Sequence, residues 1–308
     1  MPNRLTILLL LAFAAAGATG GEVSEQTVFA YPQAIRISDG ALDAVVVPAF
    51  ARIARFGRVG GANLLFENSR AERCLSSWYN PGGDRLWPWP QASWRPLAGR
   101  AWPPPVGCDG PMTATTPAPG RVRLVGMLPS HAVRMIREVS LVDGSLRSAS
   151  RFERVAGATV DAPVAVWQIC QLPQPTHLEI RAASVDAANA AASQAGAWCT
   201  ARTDKEVLIL AIDPARGGEL VLQATVLGWR APDGSGLALI RHGVGGPAKI
   251  WVGCAARDGE NAEPPSSELE FTSPERALAP GEAIDLVTEL RPLAAGEPLP
   301  AARPSSDW

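Results

Sequence analysis

Glu268 and Glu270 alternate with Leu269 and Phe271 in the segment Ser267–Phe271. In an extended strand this spacing turns both carboxylates to one face and both apolar side chains to the other. Two neighbouring carboxylates can divide proton transfer between them, one as acid and one as base. The same pair suits cleavage of a glycosidic bond when its members stand about 5 Å or 6.5–9.5 Å apart across that bond. The plainer reading is the solvent face of a sheet. The chain has three histidines. His131 opens a strand pattern, His177 follows Pro175-Thr176, and His242 lies in Arg241-His-Gly243. His131 is the best placed to act as a third acid or base, although a surface or turn role is commoner for each of them.

A second constellation is aromatic. Trp78, Trp87, Trp89, Trp94 and Trp102 are five of the chain's ten tryptophans, and they fall among Pro, Gly, Asn, Asp and Gln. Trp87 and Trp89 alternate with Pro88 and Pro90, so an extended backbone puts both rings on one side. Asn80, Asp84, Arg85, Gln91 and Asp109 supply donors and acceptors beside them. Flat apolar rings with a polar rim suit a ligand that has an apolar face and many hydroxyls, which describes a sugar. Read plainly, the rings pack a loop onto the body of the protein, and Asn80 and Asp84 stabilise turns.

The elements that must position these residues are strands. Ile35–Ser38 and Leu42–Val47 flank Asp39-Gly40, and Val133–Val142 and Ser145–Arg154 flank Asp143-Gly144, both hairpin signals. Further strands are predicted at 51–56, 64–66, 122–125, 164–172, 177–181, 207–212, 220–227, 237–241, 249–255, 268–271 and 284–290. The Ala-rich stretch 185–197 reads as a short helix. So many strands with so little helix predict sheet packed on sheet, an all-β large antiparallel sandwich. The stretch 78–119 lacks periodicity and reads as one long functional loop inserted in that sandwich.

Arg4, the apolar run Ile7–Ala16 and the small residues that follow have the form of a cleaved secretory signal over residues 1–20. The run is short for a membrane span, and no cysteine follows it to take a lipid anchor. The expectation is a periplasmic or secreted protein with one domain over 21–292 and a disordered, Pro-rich tail over 293–308. Formal charge is −2 for the whole chain, which argues against nucleic acid or an anionic membrane as partner. Cys74, Cys108, Cys170, Cys199 and Cys254 are compatible with disulfides in an exported protein. Cys74 and Cys108 bracket the Trp-rich stretch, so a bridge between them would close it; the alternative is five small buried hydrophobes. No Cys or His spacing suggests a metal, and no cofactor is indicated.

These segments resemble a known superfamily. Leu42–Val47, Ala51-Arg-Ile-Ala-Arg-Phe56 and Asn63-Leu-Leu-Phe-Glu-Asn68 resemble the opening of galactose mutarotase-like proteins. Trp78-Tyr-Asn-Pro-Gly-Gly-Asp-Arg-Leu-Trp-Pro-Trp-Pro-Gln91 and Trp102-Pro-Pro-Pro105 are similar to a bacterial exported branch of that superfamily, one of unassigned function. That branch carries Asn-x-Gly-Gly-Asp-x-x-Trp-Pro-x-Pro-Gln. Ser267–Pro274 and Leu278–Glu282 resemble its last strands, so the likeness spans about residues 33 to 292. It implies a β-supersandwich with a carbohydrate site on its concave face. The Asn-His-x-Tyr-Phe-Asn-Leu block that supplies a catalytic His in aldose 1-epimerases is absent. The Arg-Gly-Gly-Ile-Pro block of hexose-phosphate relatives is replaced by Pro81-Gly-Gly-Asp-Arg85. Three readings follow: a sugar-binding protein acting on an anomeric centre, a non-catalytic glycan-capture module, or a structural or partner-binding protein that uses the Trp-rich loop as its surface.

Overall fold

The computed structural model describes residues 21–28, 31–68, 80–157, 160–253 and 265–301. Two antiparallel sheets pack face to face. The first runs in the order β1 (Glu22–Val28), β2 (Tyr31–Ser38), β3 (Leu42–Val47), β4 (Arg52–Arg58), β5 (Asp84–Trp89), β10 (Ala165–Pro173), β18 (Ser266–Thr272), β17 (Ala248–Val252) and β14 (Gly218–Leu222). The second runs β12 (Cys199–Asp204), β13 (Val207–Ile212), β11 (His177–Ala182), β15 (Ala224–Arg230), β16 (Gly236–His242), β19 (Ala283–Leu293), β9 (Ser145–Arg154), β8 (Val133–Val142), β7 (Arg121–Leu128) and β6 (Thr113–Ala118). The all-β sandwich expected from alternation is the fold observed.

Period-2 alternation builds the core between the sheets. Leu86, Val166, Leu269, Phe271 and Ile250 from the first sheet meet Met135, Val139, Phe152, Leu239 and Leu286 from the second, and all are buried. The hairpin at 143–144 forms as its sequence predicts: Asp143 and Gly144 have φ of 49° and 75°, the double left-handed turn that matches strand twist. The Ala-rich helix is α1 (Val185–Gln194), capped by Ser184, whose side chain accepts from the Ala187 N–H.

Three expectations need correction. The stretch 78–119 is not one loop, because Asp84–Trp89 is a strand inside the first sheet and Thr113–Ala118 an edge strand of the second. Pro88 and Pro90 hid it from sequence reading. The structure accommodates Pro88 because β5 pairs with β10 along its length but with β4 only at Asp84, so the proline lies where the far side carries no ladder. Second, residues 294–301 are ordered rather than a loose tail. Leu299 packs on Val226, Ala238, Ile240 and Leu293, and the Arg181 and Arg230 side chains donate to the Leu299, Pro300 and Glu297 carbonyls. Residues 302–308 and the signal segment 1–20 lie outside the described residues. Third, Cys108 is a buried free thiol, so the bridge to Cys74 is not formed. Cys74 and Cys254 lie outside the described residues.

Candidate functional site

On the first sheet's outer face, strand register lines up a set of residues from distant parts of the chain. Trp87 on β5 faces Trp167 on β10, and Gln171 on β10 faces Glu268 on β18. Glu268 in turn faces Trp251 on β17, which faces Glu219 on β14. One pair further along, Glu270 stands between Ile169 and Lys249. Because all these positions share strand parity, they project from one face. Trp87, Trp167, Gln171, Glu268, Trp251, Glu219 and Lys249 line a cleft of about 360 Å³, completed by Asn80, Arg85, Gln91 and Trp102, with Glu270 and Ile169 buried beside it.

Local chemistry explains the entry to β5. Gly82 and Gly83 have φ of 89° and 77°, and a Cβ on Gly82 would stand 2.1 Å from the Phe66 carbonyl oxygen. Only glycine fits both the conformation and the approach. The Asn80 side chain accepts from the Gly82 N–H at 3.2 Å, closing the turn, and its amide donates to Gln171 Oε1 at 2.8 Å.

A hydrogen-bonded chain crosses the cleft floor. Arg52 donates to Asn80, to the Gly82 carbonyl at 2.7 Å and to Asp109 at 3.0 Å. Asp109 also accepts the Trp87 indole N–H at 3.2 Å. Arg85 donates to Gln171 at 3.2 Å and to Glu268 at 2.5 Å. Burial lowers the Arg52 pKa to about 10, against the pull of Asp109. For Arg85 burial also opposes charge, but the Glu268 carboxylate and its hydrogen bond outweigh it, and the net shift is upward. Lys249 is paired with Glu219 at 3.0 Å and lies over the Trp167 ring.

Glu270 is strongly changed by its surroundings. It is 1% exposed, and burial, reinforced by the charge of Glu268, raises its pKa to about 8. Its Oε2 accepts the Trp167 indole N–H at 2.6 Å, while the buried Oε1 has no partner. A carboxyl in this state holds its proton at neutral pH, as a general acid must.

The rings form a tiered cluster. Trp87 meets Trp94, Trp102 and Trp167 edge-on with centroids 5.6, 5.8 and 5.8 Å away, and Trp89 meets Trp167 at 5.2 Å. Trp87 and Trp167 are each 3% exposed, whereas Trp102 is 52% exposed. Trp94 is fully buried behind Trp102 and donates to the Pro88 carbonyl at 2.9 Å. Trp102 is therefore the most exposed ring of the group, Trp89 is half-buried, and Trp87, Trp94 and Trp167 are the packing behind them. Trp78 lies outside the described residues.

Two sequence candidates stand elsewhere. Asp84 is fully buried and points between the sheets, where it pairs with Arg137 and accepts from Gln168 at 2.7 Å. Its neighbour Arg85 takes the cleft face, as alternation requires. His131 is buried outside the cleft lining, with Ser93 and Ser130 hydroxyls at 3.1 and 2.9 Å from its two ring nitrogens. Burial and the nearby Arg154 lower its pKa to about 4, so it stays neutral and ties the 91–98 segment to the turn between β7 and β8. Sequence reading missed Arg52, Trp167, Gln171, Glu219, Lys249 and Trp251. A signal existed for Lys249 and Trp251, which alternate as Glu268 and Glu270 do. Among the described residues no group of three or more His, Cys, Asp or Glu is arranged to hold a metal ion, and no helix is long and apolar enough to cross a membrane.

No family model and no curated protein matches the chain in sequence. Solved structures do match in fold. A galactose mutarotase related enzyme from Lactobacillus acidophilus superposes with a TM-score of 0.55 at 8% identity, covering 87% of this chain and all of that one. A galactose mutarotase-like protein from Clostridium acetobutylicum gives 0.53 at 8% identity, covering 89% and 98%. A candidate aldose 1-epimerase from Escherichia coli K12 gives 0.52 at 15% identity, covering 82% and 96%. With two large antiparallel sheets and this breadth of structural overlap, the chain has the galactose mutarotase-like fold.

Proposed function

We propose that the protein binds carbohydrate in the cleft, and that the chemistry available there acts on an anomeric centre. The observation that carries the binding reading is an accessible indole, Trp102, beside a preset row of polar groups, Gln171, Arg85 and Glu268. A pocket that mixes flat apolar surface with a few fixed polar groups is the usual form of a small-ligand site. Exchange of anomers needs a base for the anomeric hydroxyl proton and an acid for the ring oxygen. Glu268, at the cleft surface, is assigned as base and Glu270, protonated beneath it, as acid. The solved structures of related fold support a sugar-directed reading through architecture alone.

Titration of the protein with free hexoses, uronic acids and oligosaccharides, read by tryptophan fluorescence and calorimetry, tests binding. A saturable response is expected, weakened about tenfold, or about 1.4 kcal/mol, in Trp102→Ala at unchanged Tm. Silence across the panel would remove the carbohydrate reading in favour of a partner-binding surface. Polarimetry on a freshly dissolved anomer then separates exchange from simple capture. Exchange lost in Glu268→Gln supports the acid–base assignment, while binding without exchange leaves a glycan-capture module. The proposal includes export to the periplasm or medium through residues 1–20, tested by N-terminal sequencing, which is expected to begin after Ala18 or Gly20.

A further inference from the structure

The width of the cleft and the position of Trp251 speak to the size of the ligand, given the carbohydrate reading above. Cleft-lining residues come from five successive strands, β5, β10, β18, β17 and β14, ending at Glu219. Neighbouring strands lie about 4.8 Å apart, so the lined surface is about 19 Å across. A single pyranose ring covers little more than about one such spacing.

Among the rings that line the cleft, accessible aromatic surface stands at two places. Trp102 is 52% exposed and packs against Trp87 on β5, whereas Trp251 is half-buried on β17. Three strand spacings, about 14 Å, separate β5 from β17. The rings between them, Trp87 and Trp167, are too deeply buried to carry a ligand face.

Trp251 has space made for it. A Cβ on Gly253 would stand 2.6 Å from the Trp251 ring, and Gly253 has no left-handed φ that would call for glycine on conformational grounds. The ring itself accounts for the missing side chain: it lies along the strand, over position 253. Its register partners are Glu268 on one side and Glu219 on the other. An indole laid along the sheet with a carboxylate on each flank offers a stacking face and acceptors for the hydroxyls around it.

We infer that the ligand is an oligosaccharide of at least two rings, laid across the strands with one ring on Trp102, another on Trp251, and Glu268 beneath the stretch between them. A single hexose, little wider than one strand spacing, is narrower than the three spacings between β5 and β17.

Calorimetry of the full chain against matched series of one to four rings (glucose with cello-oligosaccharides, and the equivalent xylo-, manno- and galacto-series) tests this. Affinity is expected to rise about tenfold or more on adding the second or third ring and then level off. Trp251→Ala should bring the ratio of trisaccharide to monosaccharide affinity close to one, and Trp251→Phe should restore most of it. A monosaccharide that binds as tightly as its oligomers would overturn the inference, as would a length dependence that survives Trp251→Ala. Binding by no member of any series would instead overturn the carbohydrate reading itself.

Discussion

Trp167 donates its indole N–H to Glu270 at 2.6 Å, and the same ring carries Trp87 and Trp89 on its edges and Lys249 over its face. The protonation of one buried carboxyl is thereby tied to the aromatic cluster beside the cleft. An ionised Glu270 gains charge in a buried site next to Glu268, which is why its pKa stands at about 8.

That shift predicts a pH dependence. The folded state keeps the Glu270 proton up to about 8, whereas an unperturbed carboxyl releases it near 4.5. The stability contributed by the proton is complete below about 4.5 and is lost as pH rises toward 8. Glu270→Gln keeps an acceptor for Trp167 and never ionises. Its Tm relative to wild type should therefore climb by ~3 °C or more between these limits and then level off. A difference that stays constant with pH, followed by thermal melts, would show that Glu270 titrates as an ordinary carboxyl.

Asp84→Ala should act on stability. It leaves Arg137 buried without its carboxylate and Gln168 without an acceptor, at a cost of about 3–5 kcal/mol in chemical denaturation. A variant as stable as wild type that had lost sugar binding would return Asp84 to the cleft.

Gly82→Ala meets both a left-handed φ and the Phe66 carbonyl. A loss of at least ~2 kcal/mol is expected, together with displacement of Asn80 from Gln171. Gly40→Ala is the control. Gly40 also has positive φ, but nothing lies near its absent Cβ, so a loss of only about 1 kcal/mol is expected. Equal effects at the two sites, measured by urea titration, would argue that close approach at Gly82 is unimportant.

Truncation after Leu293 removes the Leu299 side chain from its apolar cluster and the carbonyls that receive Arg181 and Arg230. The expected loss is about 2–4 kcal/mol. A truncated chain that melts with the wild type would show that residues 294–301 contribute nothing to the sandwich.

The strands were legible because alternation is local. Leu42–Val47, Val133–Val142, Ser145–Arg154 and Val207–Ile212 begin and end where their hydrophobic period does. The same period pairs Glu268 with Glu270 and Trp87 with Trp89, and the register places both pairs on one face of the first sheet. The strand at Asp84–Trp89 was not legible, because prolines are poor ladder members and nothing local reveals that β4 leaves β5 after one residue pair.

Sheet order and face were decided by tertiary structure alone. Positions 87, 167, 251 and 268 are far apart in the chain, and they share a cleft only because β5, β10, β18 and β17 lie side by side. Adjacent residues of a strand must face opposite ways, so one of Asp84 and Arg85 had to turn inward. Both are charged, and the sequence around them does not distinguish the two choices. The buried guanidinium of Arg137 and the amide of Gln168, contributed by strands distant in sequence, receive the carboxylate. Arg85 is thereby left to meet Glu268 at the cleft.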